Sequence, residues 1–233
     1  MMHRPHQLLI TCEHAVNQIP PFFQEAFAPH QALLSTHRGY DIGAANLARR
    51  ISEEFKLPYF EAMVSRLLID CNRSLGHPHC FSELSSCFDE QMKSTIIDAY
   101  YKPYRNAVSN YIQSMVHERP ILHLSIHSFT PNLHGVERLA DIGLLYHPGR
   151  VQEQILAKEW QTWLSKACPA FKIRRNYPYQ GKSDGLVQSL RKQFSEKEYL
   201  GFEIEFNQKL FAEESSTKMV EDLAFKWLKS IIH

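Results

Sequence analysis

The chain has 233 residues, a length that favours one large domain. Its hydrophobic fraction of 44% and charged fraction of 22% are typical of a folded globular protein, and they exclude a disordered or fibrous chain. The formal net charge is only +1, so no positive field favours a nucleic acid as partner. The 13 histidines exceed ordinary usage and point to imidazole chemistry.

The apolar runs are far shorter than the roughly 18–20 residues of a membrane-spanning helix, so we expect no membrane contact. The N-terminal residues lack the apolar centre of a signal peptide. Five cysteines at irregular spacing, none in a Cys-x-x-Cys pair, predict free thiols and argue against a thiolate zinc site. We therefore expect a cytoplasmic protein; its oligomeric state is not encoded in any visible pattern.

Short apolar runs typical of strands alternate along the chain with longer stretches of helical periodicity. The predicted strands, in chain order, are residues 7–11, 58–64, 66–70, 121–126, 142–146, 171–174 and 199–206. The predicted helices are residues 41–55, 89–116 with an interruption at Pro103, 151–167, 184–194 and 215–232. This alternation predicts a single three-layer α/β domain over residues 1–233, with helices on both faces of a mixed, mostly parallel central sheet.

Polar side chains follow four of the predicted strands, at the edge of the sheet where α/β proteins bind their ligands. They are His14 after the first strand, Asn72–Arg73 after the third, His127 after the fourth and Glu205 near the end of the last. One buried histidine alone is more often a hydrogen-bonded core residue. The recurrence of such residues at four strand ends favours a shared site.

His14 and His127 are suitable zinc ligands, and catalytic zinc sites use three protein ligands with water in the fourth position. Asp41 and His37, both in the segment HRGYD, are candidates for the third ligand. Asp41 is equally suited to cap the N-terminus of the helix that follows it. Glu205 is the candidate general base on a metal-activated water.

Several alternatives stay open at this point. Glu203 shares a strand face with Glu205 and is the alternative base. Arg66 and Arg73 have the planar donors that match a substrate carboxylate, although each could equally form a surface ion pair. A thiol hydrolase that uses Cys12 beside a histidine is a different hypothesis, and it leaves the later strand-end residues without a role.

Six stretches, in order from residue 11 to residue 208, carry a family resemblance. They are TCEHAVNQIP, HRGYDIGAANLARRI, SRLLIDCNRS, HLSIHSFTP, NYPYQGKSDGL and GFEIEFNQ. Together they resemble the N-formylglutamate amidohydrolase family. A more distant similarity, to zinc carboxypeptidases and aspartoacylase-like amidohydrolases, rests on His14, Asn72–Arg73, His127–Ser128 and Glu205 in the same order.

The resemblance implies a phosphorylase/hydrolase-like, zinc carboxypeptidase-like fold and a Zn²⁺ cofactor. It also implies a small-molecule substrate, an N-acyl amino acid such as N-formyl-L-glutamate, whose amide bond is hydrolysed. The carboxypeptidase pattern places a glutamate three positions after the first histidine, where this chain has Asn17. The implied metal ligands are therefore His14, Asp41 and His127, with Glu13 as the alternative carboxylate.

The resemblance also implies roles around the metal. Glu205 takes a proton from water and delivers it to the leaving amine, and Arg66 stabilises the oxyanion. The loop 176–186 closes over the substrate. The implied substrate-binding residues are Asn72, Arg73, Asn176 and Tyr179. The alternative function within this resemblance is a non-catalytic homologue that binds a small molecule without hydrolysing it.

Overall fold

A six-stranded sheet forms the centre of the molecule, whose computed structural model describes residues 6–232. Its strands are β1 (Gln7–Cys12), β2 (Tyr59–Glu61), β3 (Ile121–Phe129), β6 (Ile142–Leu145), β7 (Ile173–Arg175) and β8 (Tyr199–Asn207). Strands β4 (Asn132–Leu133) and β5 (Val136–Glu137) form a separate antiparallel pair. The order in the large sheet is β2-β1-β3-β8-β6-β7.

Four of the five neighbouring pairs in this sheet are parallel, and only β6 and β8 run antiparallel. Strand β3 lies between β1 and β8, and all nine of its residues are buried. Leu122, Leu124 and Ile126 make one face of the strand apolar. On its other face the buried His123 and Ser125 are hydrogen-bonded to side chains of neighbouring segments. The predicted mixed, mostly parallel sheet is confirmed.

Helices cover both faces of the sheet. They are α1 (Gln24–Phe27), α2 (Gln31–Leu34), α3 (Ala44–Phe55), α4 (Glu90–Ile96), α5 (Lys102–Met115), α6 (Val151–Ala167), α7 (Leu186–Gln193) and α8 (Glu214–Ile232). Alternate residues of β1 point to opposite faces: Leu8 and Ile10 pack with α3, α6 and α8, whereas Leu9 packs with α4, α5 and α7. The three-layer arrangement is therefore confirmed. None of the helices within residues 6–232 is long and apolar enough to cross a membrane.

The predicted strand at residues 66–70 is wrong. The backbone turns there, because the amides of Leu68 and Ile69 both donate to the carbonyl oxygen of Ser65. The run is apolar because Leu67, Leu68 and Ile69 are buried against the α4–α5 face, outside the sheet. A short apolar run cannot distinguish a buried strand from another buried segment.

Several other element boundaries differ from the prediction by a few residues. The helix expected from residue 41 begins at Ala44, and the strand expected over residues 58–64 contracts to Tyr59–Glu61. The long helical stretch is divided near Pro103, as predicted, by a π-helical turn at Ile97–Tyr101 that joins α4 to α5. Asp89 caps α4, since its side chain accepts a hydrogen bond from the amide of Met92 at 2.7 Å.

A buried ion pair ties α6 and α7 to the start of β8. Arg191 Nε lies 3.0 Å from Glu153 Oε1, and Glu153 is fully buried. The arginine also donates to the carbonyl oxygens of Gly181 and Gly201. The glutamate accepts from the amides of Gly201 and His147. Every polar group of this pair therefore has a partner inside the protein.

We predict that Glu153→Ala lowers the free energy of unfolding by about 3–5 kcal/mol, because it leaves the Arg191 guanidinium buried without a counter-charge. Urea unfolding followed by circular dichroism measures this. The control is Glu90→Ala, which removes an exposed ion pair with Lys93 and should cost less than about 1 kcal/mol. Equal losses in the two variants would contradict the structural role of the buried pair.

Candidate metal centre and active site

Three buried side chains from distant parts of the sequence meet at the carboxyl-terminal edge of the sheet. His14 follows β1, Asp41 precedes α3, and His127 lies near the end of β3. Their candidate ligand atoms all lie within 4.8 Å of one another. Asp41 Oδ2 is 2.8 Å from Nδ1 of His127 and 3.4 Å from Nδ1 of His14. The structure thus brings together the three residues that the resemblance implies as metal ligands.

The backbone fixes Asp41 in this group. Its amide donates to the carbonyl oxygen of His14 at 2.9 Å, and its Oδ2 accepts from the amide of Ser128 at 3.1 Å. Helix α3 begins only after Gly43, whose φ of +83° is a left-handed conformation that favours glycine. Asp41 therefore does not cap α3, and its carboxylate faces the two imidazoles.

The charges in this cluster offset the cost of their burial. Burial by itself raises the pKa of a carboxyl group, but the neighbouring His14 and His127 hold the pKa of Asp41 well below its usual range. Burial likewise lowers the pKa of an imidazole, yet the surrounding carboxylates raise the pKa of both histidines. Anionic oxygens and imidazole nitrogens at this spacing can exchange protons for a divalent cation.

Glu205 lies next to this group, on β8 directly opposite His127 in the sheet register. It is 6% exposed, and its Oε2 atom has no hydrogen-bond partner. Burial, reinforced by the Asp41 charge, raises the pKa of Glu205 to about 7. Glu203 lines the same pocket, but it is less buried and lies 3.4 Å from the side-chain amide of Asn72.

A pocket of about 350 Å³ opens onto the cluster, large enough for a small amino-acid derivative. His14, Asp41, His127 and Glu205 all line it. A second pocket of about 340 Å³ adjoins it. The side chains shared by the two pockets are Asp41, Arg66, Arg73, Ser128 and Tyr179.

The two predicted arginines both reach the pocket. Arg66 lies between two carboxylates, with Nη2 3.0 Å from Asp70 Oδ2 and Nη1 3.5 Å from Asp41 Oδ1. Arg73 is fixed on one side, because its Nη1 donates to the carbonyl oxygen of Asp184 at 2.7 Å. Both side chains line the pocket while they keep these contacts.

Two predicted substrate contacts are occupied by the backbone instead. The side-chain oxygen of Asn72 accepts from the amide of Leu186 at 2.7 Å, so this residue holds the start of α7 although it lines the pocket. The side-chain oxygen of Asn176 accepts from the amides of Tyr146 and Gly181, and Asn176 is not among the residues that line the pocket. The side chains of Asn72 and Asn176 therefore hold the backbone around the site in place.

The loop 176–186 already forms a wall of the pocket, with Tyr179 facing it. The loop packs closely on β6, because a Cβ atom at Gly143 would lie 1.9 Å from the carbonyl oxygen of Tyr177. A Cβ atom at Gly181 would meet the amide nitrogen of Tyr146 at 2.3 Å. Glycine at these two positions lets the loop reach the edge of the sheet beside Glu205.

The remaining candidates lie elsewhere. Glu13 is buried on the far side of the His127 ring, 2.9 Å from its Nε2. His37 lines the adjoining pocket and is not part of the ligand group. Cys12 packs in the core beneath α3, and burial raises the pKa of its thiol well above the usual value. A neutral buried thiol is a poor nucleophile, which disfavours the thiol hypothesis.

Sequence reasoning missed two features of the site. Asp70 contacts His14 as well as Arg66, with its Oδ1 2.7 Å from His14 Nε2. His77, Ser183 and Asp184 also line the pocket. The stretches SRLLIDCNRS and NYPYQGKSDGL contain most of these residues, so the family resemblance marked the region without indicating which side chains make contact.

Comparison with known proteins agrees with the fold and identifies the family. A model of the N-formylglutamate amidohydrolase family matches residues 6–212. The crystal structure of gene product Atu2144 from Agrobacterium tumefaciens is 28% identical, with a TM-score of 0.80 over 98% of this chain and 92% of that one. A search of the curated proteins found no match.

N-formylglutamate amidohydrolase from Ralstonia eutropha JMP134 is also similar in structure. It is 18% identical, with a TM-score of 0.72 over 99% of this chain and 95% of that one, a likeness that shows the shared fold. The fold and the family match define a hydrolase that acts on C–N bonds other than peptide bonds. Within this class, the chain belongs to the N-formylglutamate amidohydrolase family.

We predict that the protein binds a single zinc ion and that His127→Ala abolishes this binding, because it removes one of the three candidate ligands. Equilibrium dialysis followed by elemental analysis measures the stoichiometry. The control is His77→Ala, which removes a pocket histidine outside the ligand group and should leave the stoichiometry unchanged. Full zinc loading of a folded His127→Ala variant would contradict the assignment.

Proposed function

We propose that this protein is a zinc-dependent hydrolase that cleaves the amide bond of an N-acyl amino acid, with N-formyl-L-glutamate as the first candidate substrate. The observation that carries the proposal is the convergence of His14, Asp41 and His127 at the base of a pocket that also holds Glu205. The family supports amide hydrolysis. The free cysteines agree with the cytoplasmic location that the sequence predicts.

The donor set fits zinc. Two imidazoles and one carboxylate are ligands that Zn²⁺ accepts, and three protein ligands are usual in its catalytic sites. His14, Asp41 and His127 would hold the ion, since their ligand atoms already lie within 4.8 Å of one another. When bound there, a zinc ion polarises a carbonyl group and lowers the pKa of water.

Glu205 would move the proton. It lies beside His127 in the sheet, and its Oε2 atom is unpartnered inside the protein and free to accept a proton from water. Its raised pKa of about 7 suits a group that first takes a proton and then gives it to the leaving amine nitrogen near neutral pH. Glu203 is less buried and already contacts Asn72, so it is less suited to this role.

The arginines would orient the substrate. Arg66 is held by Asp41 and Asp70 beside the candidate ligands, where its guanidinium would stabilise the negative oxygen that forms during hydrolysis. Arg73, anchored on the Asp184 carbonyl, lies at the wall where both pockets meet and can bind the carboxylate of the amino acid. Tyr179 lies on the same wall and would contact the substrate.

We predict that Glu205→Gln keeps its zinc and lowers kcat roughly 100- to 10,000-fold, because the amide cannot accept the proton. Steady-state kinetics measures kcat, and elemental analysis of the same sample measures the zinc content. Glu203→Gln is the matched control on the same strand face and should lower kcat less than about tenfold. A fully active Glu205→Gln variant, or the larger loss in Glu203→Gln, would show that the base is misassigned.

The proposed activity is tested with N-formyl-L-glutamate and a panel of other N-acyl amino acids, with formate or the released amine as the product measured. We expect hydrolysis by the zinc-loaded protein, loss of activity after chelation and recovery when zinc is returned. Cys12→Ala should retain activity, since the thiol has no part in this mechanism. Zinc binding without hydrolysis of any compound would favour the non-catalytic binding function.

A further inference from the structure

Two buried carboxylates outside the ligand group contact the two imidazoles from behind. Asp70 Oδ1 lies 2.7 Å from Nε2 of His14, and Glu13 Oε2 lies 2.9 Å from Nε2 of His127. In both histidines the other nitrogen, Nδ1, faces Asp41. Each ring is therefore held between the shared ligand carboxylate on one side and a carboxylate of its own on the other.

We propose that Asp70 and Glu13 are positioning residues of the metal centre. Asp70 accepts the Nε2–H of His14, and the carboxylate of Glu13, 2.9 Å from Nε2 of His127, attracts the proton of that ring to Nε2. Nδ1 of both rings would then be unprotonated and able to bind a metal ion. A neutral imidazole carries one proton, so the hydrogen bond on one nitrogen decides which nitrogen can bind a metal. This inference rests on the proposed function, because it requires that His14 and His127 are metal ligands.

Asp70 is itself fixed in place. Its Oδ2 accepts from Nη2 of Arg66 at 3.0 Å, and its Oδ1 also accepts from the amide of Asn72 at 2.9 Å. The residue is almost fully buried, at 4% exposure. Asp70 thus meets His14 as part of the turn that carries Arg66, and its position does not depend on the metal.

Glu13 is fixed in a similar way, by partners on helix α5 and strand β3. Its Oε1 accepts from the hydroxyl of Tyr104 at 2.7 Å, and its Oε2 accepts from the hydroxyl of Ser125. Glu13 Oε2 lies 2.9 Å from His127 Nε2, an ion-pair distance, but the two atoms are not aligned as a hydrogen bond. Glu13, the alternative ligand of the sequence analysis, therefore supports His127 from outside the ligand group.

The test is the zinc dissociation constant, measured by competition with a chromophoric chelator. Asp70→Ala and Glu13→Ala should each weaken zinc binding roughly 10- to 100-fold. Asp70→Asn and Glu13→Gln should recover part of this loss, because an amide oxygen still accepts the Nε2–H. The control is Asp184→Asn, a carboxylate of the same pocket that contacts neither imidazole and should leave the constant unchanged.

A second readout separates positioning from general damage to the fold. In the zinc-loaded protein, nitrogen-15 NMR of the histidine side chains should show both metal-bound rings protonated on Nε2. Asp70→Ala should speed solvent exchange of the His14 Nε2 proton alone, and Glu13→Ala that of His127 alone. Destabilisation of the whole domain would affect both protons together.

The outcomes distinguish this inference from the proposed function. If the wild-type protein binds no zinc, the proposed function fails along with the inference. If the wild-type protein binds zinc and the alanine variants bind it equally well, only the inference fails. Complete loss of zinc from folded Glu13→Ala, or a His127 ring protonated on Nδ1, would make Glu13 a ligand.

Tyr104→Phe removes one anchor of Glu13 and extends the test should Glu13→Ala not fold. We expect it to weaken zinc binding a few-fold. An unchanged zinc dissociation constant would count against the inference.

Discussion

The site depends on one arrangement of charge in the protein interior: the Asp41 carboxylate shared by two imidazoles, with further carboxylates behind them. Burying an isolated charge is costly, and such groups persist only where each has a counter-charge or hydrogen-bond donor. Here carboxylates and imidazoles alternate from Asp70 through His14, Asp41 and His127 to Glu13. The alternation gives each charge an opposite charge nearby and places the three candidate ligand atoms within 4.8 Å of one another.

The sheet provides the rigidity that this arrangement needs. Strands β1, β3 and β8 are neighbours and run parallel, so the residues at their carboxyl ends lie side by side. His127 and Glu205 face each other in the register of β3 and β8, and His14 follows β1. His14 lies in the turn directly after β1, and Asp41, from a later segment, is tied to it because the Asp41 amide donates to the carbonyl oxygen of His14.

Much of the fold and of the candidate site was predictable from the sequence. Buried parallel strands have a clear sequence pattern, and their carboxyl ends mark the edge of the sheet where ligands bind. The central strands, the helices α6 and α8 and the group of His14, Asp41 and His127 were all expected. The buried run at residues 66–70 was misread as a strand, since its apolar residues serve the α4–α5 core without pairing in the sheet. Local pattern does not reveal which surface an apolar run covers.

The sequence could not predict which side chains form hydrogen bonds with one another. His123 and His127 lie four residues apart on the same strand, yet His123 is bonded to Thr11 and Tyr199, and burial lowers its pKa to about 4. Asn72 and Asn176 likewise have suitable chemistry for substrate but are used by backbone amides. Such roles depend on contacts between segments more than 25 residues apart.

The most direct measurement of the central claim is anomalous X-ray scattering at the zinc absorption edge, from crystals grown with zinc. We predict one strong peak bonded to Nδ1 of His14, to the carboxylate of Asp41 and to Nδ1 of His127, with Glu205 beside its open side. A peak at any other set of residues, or no peak from crystals saturated with zinc, would contradict the metal centre and the hydrolytic chemistry that follows from it.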